Sequence, residues 1–552
     1  MSPPKNPAEF STTAVRTQGT PTQAAHAVPA LTIIGHAQPQ RIGERLLLDG
    51  LLSDERAVAL SRNAPDFSRP GGVLSLPLGD PFLSRTPVRF EPGLRGGIRL
   101  LVPEDGTPVL VGGEPVKGGR EFPADALGAG VPLVLAGRVA LLLHRATVGR
   151  AAGVPRPANP ADLAGLGMVG DSEGIVRVRE DVLRVADLQV PVLVRGETGT
   201  GKELVARALH AQGPRRTGPF VSVNLGALSK DLIAAELFGT LRGAFTGATR
   251  DRDGFFRAAH GGTLFLDEVA EAPPEVQAAL LRVLETGEVY PVGGQTPVRV
   301  DVRLVTATDA DLEARIHDGR FKAPLLHRLA GFEIVVPPLR ERREDITSLF
   351  LHFARQELES TGEAGRLTSA DARAEPWLPA SLAVRLARSA WPGNVRQLRN
   401  VARQLVIGSR GLPGLRVDAR MEQTLDADAL PIPGQPLAEE PPSSSAENTP
   451  AGHRTPARRK PADVSEQEVL EALRACAWDL KATADWLGIP RSSVYVLIDK
   501  SSLLRTARDL SPEEITRCFH ECEGDLDRMV QKLEVSRRAL QRRVRELGLE
   551  GT

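Results

Sequence analysis

A glycine-rich segment has the residue types and spacing of a phosphate-binding loop: Gly196-Glu197-Thr198-Gly199-Thr200-Gly201-Lys202-Glu203. It follows a strand-like run at Pro191–Val194 and opens a helix-like stretch at Glu203–His210. Glycines let backbone N–H groups turn toward phosphates, and a helix N-terminus adds partial positive charge. Lys202 would reach the β- and γ-phosphates. Glu203 stands where Ser or Thr usually helps to hold magnesium, so another residue must hold that ion. A chance glycine turn is the alternative, and the strand–loop–helix order argues against it.

Downstream, the apolar run Thr263–Leu266 ends in two carboxylates, Asp267 and Glu268. Asp267 would coordinate Mg²⁺, directly or through water, and Glu268 would orient and polarise an attacking water as general base. A strand that ends in Asp-Glu is common by itself. Paired with the phosphate loop, it predicts a nucleotide-hydrolysing site for ATP and Mg²⁺.

A hexapeptide, Gly243-Ala244-Phe245-Thr246-Gly247-Ala248, follows Glu236-Leu237-Phe238-Gly239. With the two motifs above, it makes about 165–405 resemble the AAA+ ATPase domain of bacterial enhancer-binding proteins, the activators of sigma-54 RNA polymerase. The resemblance implies that this loop tips a helical insertion and contacts sigma-54 when ATP binds and is hydrolysed. A bland glycine turn is the alternative.

The same resemblance assigns roles to five further residues, each on a motif of this sequence. Asn224 would hold the catalytic Glu until ATP is in place, and Thr308 occupies the sensor I position. Arg396, in Trp391-Pro392-Gly393-Asn394-Val395-Arg396, matches sensor II. Arg328 matches an arginine finger that acts in trans, and Lys322 stands at a second finger position. A finger in trans implies an active site completed between the subunits of a homo-oligomeric ring, expected to be a hexamer.

Several positions depart from the family pattern. Lys322 keeps the charge of the expected Arg but loses its planar fork. Pro324 and His327 replace other usual residues, and Asp309 replaces a sensor Asn, which puts a carboxylate near the phosphates. We expect a slow but real ATPase. The alternative is a DNA-binding regulator with a silent ATPase, acting as a repressor or scaffold.

The elements that must position these residues alternate between strand-like and helix-like stretches from 163 to about 340, which predicts a parallel α/β sheet followed by a helical lid to 410. Segment 1–30 is predicted to be disordered, 148–162 to be a linker and 411–463 to be a flexible linker. The fold class is therefore a multidomain chain: β-sandwich, AAA+ P-loop ATPase with lid, and an all-α C-terminal region.

The composition limits the binding partners and the cellular compartment that we expect for this chain. Lys and Arg number 69 and Asp and Glu number 69, so the formal net charge is zero and any DNA site must be local. Three cysteines do not make a disulfide framework. No apolar run is long enough to span a bilayer, and the first 30 residues do not read as a signal peptide. We expect a cytoplasmic protein with no membrane partner.

Region 31–147 contains many short strand-like runs with turn signals, typical of a sandwich or barrel. It resembles a forkhead-associated (FHA) domain, which binds phosphothreonine peptides. On that resemblance Arg62, Ser84 and Arg85 would contact the phosphate. Pro87 replaces the motif's His, and Asp105-Gly106-Thr107 stands where Asn-Gly-Thr is expected. A degenerate sandwich used for protein contacts alone is the alternative.

Region 464–552 repeats itself at an offset of 46, with identical pairs such as Cys476/Cys522 and Leu487/Leu533. Each copy resembles a Fis-type helix-turn-helix, so the region is predicted to bind upstream (enhancer) DNA. The predicted DNA-contacting residues are Arg491, Ser492, Ser493, Tyr495, Arg537, Arg538, Arg542 and Arg543. The arginines favour the second copy as the reader, and an ordinary helical bundle is the alternative. Cys518 and Cys522 are interpreted as core residues rather than a metal half-site.

Taken together, these patterns predict an ATP-dependent activator that remodels the sigma-54 RNA polymerase closed complex. A AAA+ remodeller of another target is a further alternative, which the intact Gly243–Ala248 hexapeptide argues against.

Overall fold

A computed structural model describes residues 26–53, 56–148, 166–244, 250–367 and 373–430, and short stretches between 466 and 547. The chain forms two compact units, Met1–Glu439 and Glu440–Thr552. The first contains a β-sandwich, an α/β domain and a helical lid, and the second is helical. Among the residues just given, no helix is long and apolar enough to cross a membrane.

The strands fall into two groups. The β-sandwich strands are β1 (His26–Gly35), β2 (Arg45–Leu47), β3 (Val58–Leu60), β4 (Phe67–Ser68), β5 (Ser75–Leu76), β6 (Val88–Pro92), β7 (Ile98–Val102), β8 (Val109–Val111), β9 (Glu114–Pro115), β10 (Gly118–Phe122), β11 (Val131–Leu135) and β12 (Val139–Val148). The α/β-domain strands are β13 (Val192–Arg195), β14 (Phe220–Asn224), β15 (Thr263–Asp267), β16 (Glu288–Val289), β17 (Val298–Arg299), β18 (Arg303–Thr308) and β19 (Phe332–Val335).

The helices that the described residues of the first unit form lie in all three of its parts, and the numbers below refer to them alone. Two belong to the sandwich: α1 (Gly50–Ser53) and α2 (Ala124–Ala129). Seven belong to the α/β domain: α3 (Glu173–Val185), α4 (Lys202–Gln212), α5 (Lys230–Phe238), α6 (Phe255–Ala258), α7 (Pro274–Thr286), α8 (Leu312–His317) and α9 (Ala323–Leu329). Four form the lid: α10 (Ile346–Ser360), α11 (Ala380–Arg388), α12 (Asn394–Gly408) and α13 (Ala419–Ala427).

The N-terminal region is a sandwich of two antiparallel sheets. The sequence predicted either a sandwich or a barrel, and the structure has the sandwich. The larger sheet has the order β5-β4-β2-β1-β12-β11-β8-β9, and the smaller has the order β10-β7-β6-β3. Their core is apolar, and Phe67, Phe90 and Phe122 are at most 1% exposed. Burying an aromatic side chain in this way contributes roughly 2 kcal/mol to folding.

The α/β domain is built on a five-stranded parallel sheet of order β14-β15-β18-β13-β19. Sequence analysis identified two of these strands, β13 and β15, each within one residue of its observed start. The register pairs Asn224 with Asp267 and Arg195 with Thr308. Because the strands are parallel, the predicted site residues that follow them meet at one edge of the sheet.

A buried carboxylate ties the lid to the α/β domain. Asp345, just before α10, accepts hydrogen bonds from the backbone N–H groups of Asp171 (2.7 Å) and Ser172 (3.0 Å) and from the Ser172 hydroxyl. Burial, followed by the nearby Glu344 carboxylate, raises the pKa of Asp345 to about 6. The ionised form at neutral pH is therefore held at a cost in stability.

We predict that Asp345→Asn removes a pH dependence of stability. The folded pKa lies above the usual value of 3.8, so this group's contribution to stability is complete below about pH 4 and is lost as pH rises through about 6. Relative to Asp345→Asn, the wild-type protein should lose about 2 kcal/mol between pH 4 and pH 7. Urea midpoints of both proteins across that range measure the difference, and parallel curves would contradict it.

The second unit contains α14 (Glu466–Ala475), α15 (Leu480–Leu487), α16 (Pro512–Glu521) and α17 (Leu526–Leu533). The second pair begins and ends 46 positions after the first, so the structure confirms the repeat for these helices. Cys518 and Cys522 are buried in the shared core with their sulfurs 3.9 Å apart, which confirms the packing interpretation. Burial raises the pKa of Cys518 to about 11, so the group stays a thiol.

Two predicted boundaries differ from the structure. His26–Ala30 begin β1 rather than ending a disordered segment, because β12 supplies antiparallel partners for their backbone. Residues 411–430 are not linker: Asp418 caps α13 by accepting from the Met421 N–H (2.7 Å), and Leu425 joins the lid core. Segments 1–25, 149–165 and 431–465 lie outside the described residues.

Candidate nucleotide-binding site

The phosphate-binding loop joins β13 to α4, as predicted. Gly196, Gly199 and Gly201 have φ angles of 156°, 79° and 104°, in the region that favours glycine. A β-carbon at Gly196 would lie 2.7 Å from the Val336 carbonyl oxygen, and one at Gly199 would overlap the Gly393 carbonyl. Gly196 and Gly199 are therefore required both by the turn and by the close approach of neighbouring backbone, whereas Gly201 is required by its φ angle alone.

Lys202 is the first residue of α4 and lies beneath the loop. Its Nζ donates to the carbonyl oxygens of Gly196 (2.7 Å) and Glu197 (3.2 Å). Burial lowers the pKa of Lys202, and the carboxylates of Asp267, Asp309 and Glu268 act in the opposite direction. The ammonium thus lies within electrostatic reach of these carboxylates while it is hydrogen-bonded to two backbone carbonyls of the loop.

The two predicted catalytic carboxylates lie where β15 ends. Asp267 accepts from the Glu268 N–H (3.0 Å) and from Asn224 Nδ2 (3.3 Å), and burial raises the pKa of Asp267. Glu268 has a φ of 56°, an unusual backbone conformation for this residue type. Asn224 contacts Asp267 here, and its predicted action on Glu268 stays a prediction.

Gly226 lies directly under Glu268. A β-carbon at this position would overlap Glu268 Oε2 and lie 3.3 Å from Asn224 Oδ1. We predict that Gly226→Ala displaces the Glu268 carboxylate and lowers ATP turnover about 100-fold while leaving nucleotide affinity unchanged. Gly408→Ala is the matched control, because that β-carbon meets open space. Equal turnover in the two variants would contradict the role of Glu268.

The lid closes over the loop through polar contacts, of which sequence analysis predicted only the position of Arg396 beside the phosphates. Arg340 binds Glu197 in a bidentate ion pair, with N–O distances of 2.7 and 2.6 Å. Asn394, fully buried with a φ of 49°, donates to Glu197 Oε2 and to the Thr198 carbonyl oxygen, both at 3.1 Å. The backbone N–H of Arg396 donates to the Gly199 carbonyl oxygen (3.3 Å), and its guanidinium is near enough to affect Lys202.

The sensor I position is also at the site. Thr308 is buried at the end of β18, and its carbonyl oxygen accepts from the Gly196 N–H (3.3 Å). Asp309 Oδ2 accepts a 2.5 Å hydrogen bond from the Thr198 hydroxyl. Asp309, which stands where the family pattern has a sensor Asn, therefore contacts the phosphate-binding loop itself.

A further cavity of about 100 Å³ adjoins the loop, and sequence analysis missed it. It is bordered by Met168, Val169, Thr200, Leu204, His352 and Phe353. Its size and apolar walls suit a flat heteroaromatic group beside the phosphates. The available signal was the apolar and glycine-rich run Leu166–Gly170, about thirty positions before the loop.

Known protein families and individual regulators are similar to this part of the chain. Residues 168–335 match the model of the sigma-54 interaction domain, and 340–416 match that of the AAA+ ATPase lid domain. The regulator NtrC of Salmonella typhimurium is 46% identical over 244 residues, 44% of this chain and 50% of NtrC. The C4-dicarboxylate transport regulator DctD of Rhizobium meliloti is 38% identical over 350 residues, 63% of this chain and 67% of DctD. The chain belongs to the sigma-54 interaction domain family.

The similarity to this family covers only part of this chain and part of its relatives. The match spans about half the length of the NtrC relatives. A crystal structure of NtrX from Brucella abortus, in complex with ATP, is 30% identical over 69% of both chains with a TM-score of 0.41.

In this member of the sigma-54 interaction domain family, the two predicted finger residues lie on or next to α9. Lys322 and Arg328 are both exposed, and Arg328 faces Glu285 of α7 at 3.7 Å. Pro324 occupies the first turn of α9, where a missing N–H is tolerated. Both cations are therefore accessible to solvent, and their predicted action on a neighbouring subunit stays a prediction.

The base of the predicted sigma-54 loop is held by β-type pairing. Thr240 and Arg252 exchange backbone hydrogen bonds of 3.0 and 2.9 Å. A β-carbon at Gly293 would lie 2.7 Å from that of Ala244, so this glycine makes room for the loop base. Gly243 and Ala244 are described, whereas Phe245, Thr246, Gly247 and Ala248 lie outside the described residues.

The predicted phosphopeptide residues lie in adjacent sandwich loops. The Arg62 N–H donates to the Ser84 carbonyl oxygen (3.2 Å), and Arg62 Nη1 donates to the Pro81 carbonyl oxygen (3.4 Å). The Ser84 N–H donates to Thr107 Oγ1 (2.8 Å), and Arg85 is exposed. The structure brings these residues together, and their ligand remains a prediction.

Most predicted DNA-contacting residues are not described. Arg543 is within the described residues and has helical backbone. The others lie outside them: Arg491, Ser492, Ser493, Tyr495, Arg537, Arg538 and Arg542. The preference for the second copy as the DNA-contacting one stays a prediction.

Proposed function

We propose that this chain is an ATP-hydrolysing transcriptional activator that acts on sigma-54 RNA polymerase. One observation carries the catalytic part: Lys202, beneath a glycine loop, faces Asp267 and Glu268 across a site that lid residues border. That arrangement supplies a phosphate cradle, a carboxylate for a hard cation and a general base in one place.

The donor set fits Mg²⁺. Glu203, at the position that usually helps to hold the ion, is paired with Arg207 at 2.7 Å along α4. Asp267 is half-buried with a raised pKa, which an adjacent cation would oppose, so Asp267 would hold the ion. When bound, Mg²⁺ would neutralise charge on the phosphates.

The chain's own residues account for the other tasks. Loop N–H groups and Lys202 would bind the β- and γ-phosphates of ATP. Glu268 would accept the proton of the attacking water, and Arg396 would read the phosphates from the lid. Arg328, and the weaker Lys322, would enter the site of a neighbouring subunit in a homo-oligomeric ring, expected to be a hexamer.

The remaining parts would direct this cycle to a promoter. The Gly243–Ala248 loop would couple nucleotide state to sigma-54 in the closed complex. The tandem helix-turn-helix region would bind enhancer DNA in the cytoplasm, and the FHA-like sandwich would gate activity in response to a phosphothreonine protein.

Thr246→Ala tests the sigma-54 assignment. We expect this variant to hydrolyse ATP at the wild-type rate but to lose crosslinking to sigma-54 in a transition-state nucleotide analogue. Thr217→Ala, outside the loop, is the control. Wild-type protein that hydrolyses ATP but gives no crosslink to sigma-54 would favour a AAA+ remodeller of another target.

A second candidate function rests on Asp309. Its hydrogen bond to Thr198 places a carboxylate on the phosphate loop, where it would repel the triphosphate. A DNA-binding regulator with a silent ATPase, acting as repressor or scaffold, follows if Asp309→Asn raises turnover from an undetectable level.

A further inference from the structure

The two central strands of the large sheet, β1 and β12, are buried on both faces over part of their length. In a two-sheet sandwich, every second side chain of a strand normally faces the core and its neighbours face solvent. Here all five residues from Ala30 to Ile34 are at most 1% exposed, and all five from Val139 to Leu143 are fully buried. A second layer must therefore cover the outer face of β1 and β12.

That layer is the lid. Helix α11 packs on β1, β11 and β12. Its Leu382, Ala383 and Leu386 are at most 2% exposed and belong to the same apolar cluster as the sandwich core. The approach is close, because a β-carbon at Gly35 would lie 3.1 Å from that of Ala383.

Polar contacts at the edge of this surface extend to the sandwich loop that carries the predicted phosphopeptide residues. Arg138, only 6% exposed, donates from Nη2 to the Ala374 carbonyl oxygen of the lid (2.6 Å). Its Nε donates to Asp80 Oδ2 (3.3 Å), and its guanidinium lies 4.2 Å from the centre of the Phe82 ring. Asp80 and Phe82 lie in the loop that carries Ser84.

The other end of α11 leads directly to the nucleotide site. Trp391 is fully buried, and its Nε1 donates to the Leu386 carbonyl oxygen (2.9 Å). Three residues later, Asn394 donates to Glu197 and to the Thr198 carbonyl oxygen. One short segment thus connects the sandwich-covered helix to the phosphate loop.

We infer that the sandwich and the lid are one rigid body. The sandwich is then a structural part of the nucleotide clamp, which the lid and the phosphate-binding loop Gly196–Lys202 form. It is not an inhibitory domain that leaves the lid on activation. Contacts between domains that separate in function are usually small and polar, whereas a large apolar surface holds domains together. A ligand on the sandwich would then act by changing the angle of the lid, with the sandwich still attached.

The first test requires no substitution in the interface. A protease site is placed between residues 149 and 165 of the full chain, and the cleaved protein is run on size exclusion at low micromolar concentration. We expect the sandwich fragment to co-elute with the remainder. Separate peaks for the two fragments would overturn the inference.

The second test asks whether the sandwich supports the clamp. Ala383→Asp places a charge in the apolar surface, and Ala419→Asp, at an exposed lid position, is its control. After cleavage, we expect Ala383→Asp to release the sandwich and to weaken binding of a fluorescent ATP analogue about five-fold or more. Arg138→Ala should also weaken binding of the ATP analogue, and this variant places no charge in the apolar surface. Its control is Arg89→Ala, because Arg89 is exposed.

The second test rests on the proposed nucleotide binding, and the first does not. Co-eluting fragments with no nucleotide bound by wild-type protein would refute the proposed function and leave the single body standing. Released sandwich with unchanged nucleotide affinity would refute the structural role in the clamp.

Discussion

Lys202→Ala abolishes ATP turnover, and wild-type turnover per subunit rises steeply with protein concentration: this is the result we expect first. The carboxylates of Asp267, Asp309 and Glu268 all act electrostatically on the Lys202 ammonium. Without it, the triphosphate would enter a site of net negative charge, and affinity should fall by about 100-fold or more. The steep rise follows if a neighbouring subunit completes the site.

The measurement is phosphate release across a range of protein concentrations, with fluorescent-nucleotide binding in parallel. Lys230→Ala is the matched control, because Lys230 is exposed at the start of α5. Turnover that survives in Lys202→Ala would place hydrolysis elsewhere. A rate that is independent of concentration would argue for a site complete within one subunit.

The chemistry of the site was predictable because its signals are local. Gly196 to Lys202 lie within seven positions, and each glycine answers a backbone requirement that the sequence spacing encodes. The end of β15 brings Asp267 and Glu268 to the same sheet edge for a general topological reason. These parts of the site need no knowledge of distant contacts.

The lid contacts were not predictable in this way. Arg340 meets Glu197 across 143 positions and Asn394 meets it across 197, and neither pair has a distinguishing pattern in the sequence. The sandwich–lid surface did leave a signal. The runs Leu31–Ile34 and Val139–Leu143 are apolar almost without alternation, a pattern typical of strands buried on both faces. Both runs fall within the predicted sandwich region 31–147, and a second covering layer was not predicted from them.

We predict that two inactive variants restore turnover when mixed. Arg328 is 60% exposed on α9 and faces Glu285 in its own subunit, so Arg328→Ala should leave its own phosphate loop and Glu268 intact. Loss of a finger in trans lowers turnover by about 10³-fold or more. Glu268→Gln removes the general base but keeps its finger, so this variant is also inactive alone.

Mixed rings contain interfaces in which an intact Glu268 meets an intact Arg328. In an equal mixture about a quarter of the interfaces have that composition if subunits combine at random. Turnover should therefore recover to a substantial fraction of the wild-type rate, measured by phosphate release after the variants are mixed. Arg320→Ala, an exposed arginine paired with Asp318 at 2.9 Å, should be active without mixing.

No recovery in the mixture would mean that Arg328 acts within its own subunit or not at all. In that case Lys322, at the first position before α9, becomes the candidate for the cation in trans. Mixing Lys322→Ala with Glu268→Gln then decides between them, because a lysine can supply charge to the phosphates without the planar fork of an arginine. Recovery with Arg328→Ala, together with full activity of Lys322→Ala by itself, would show that the departure at Lys322 is tolerated because Arg328 alone completes the neighbouring site.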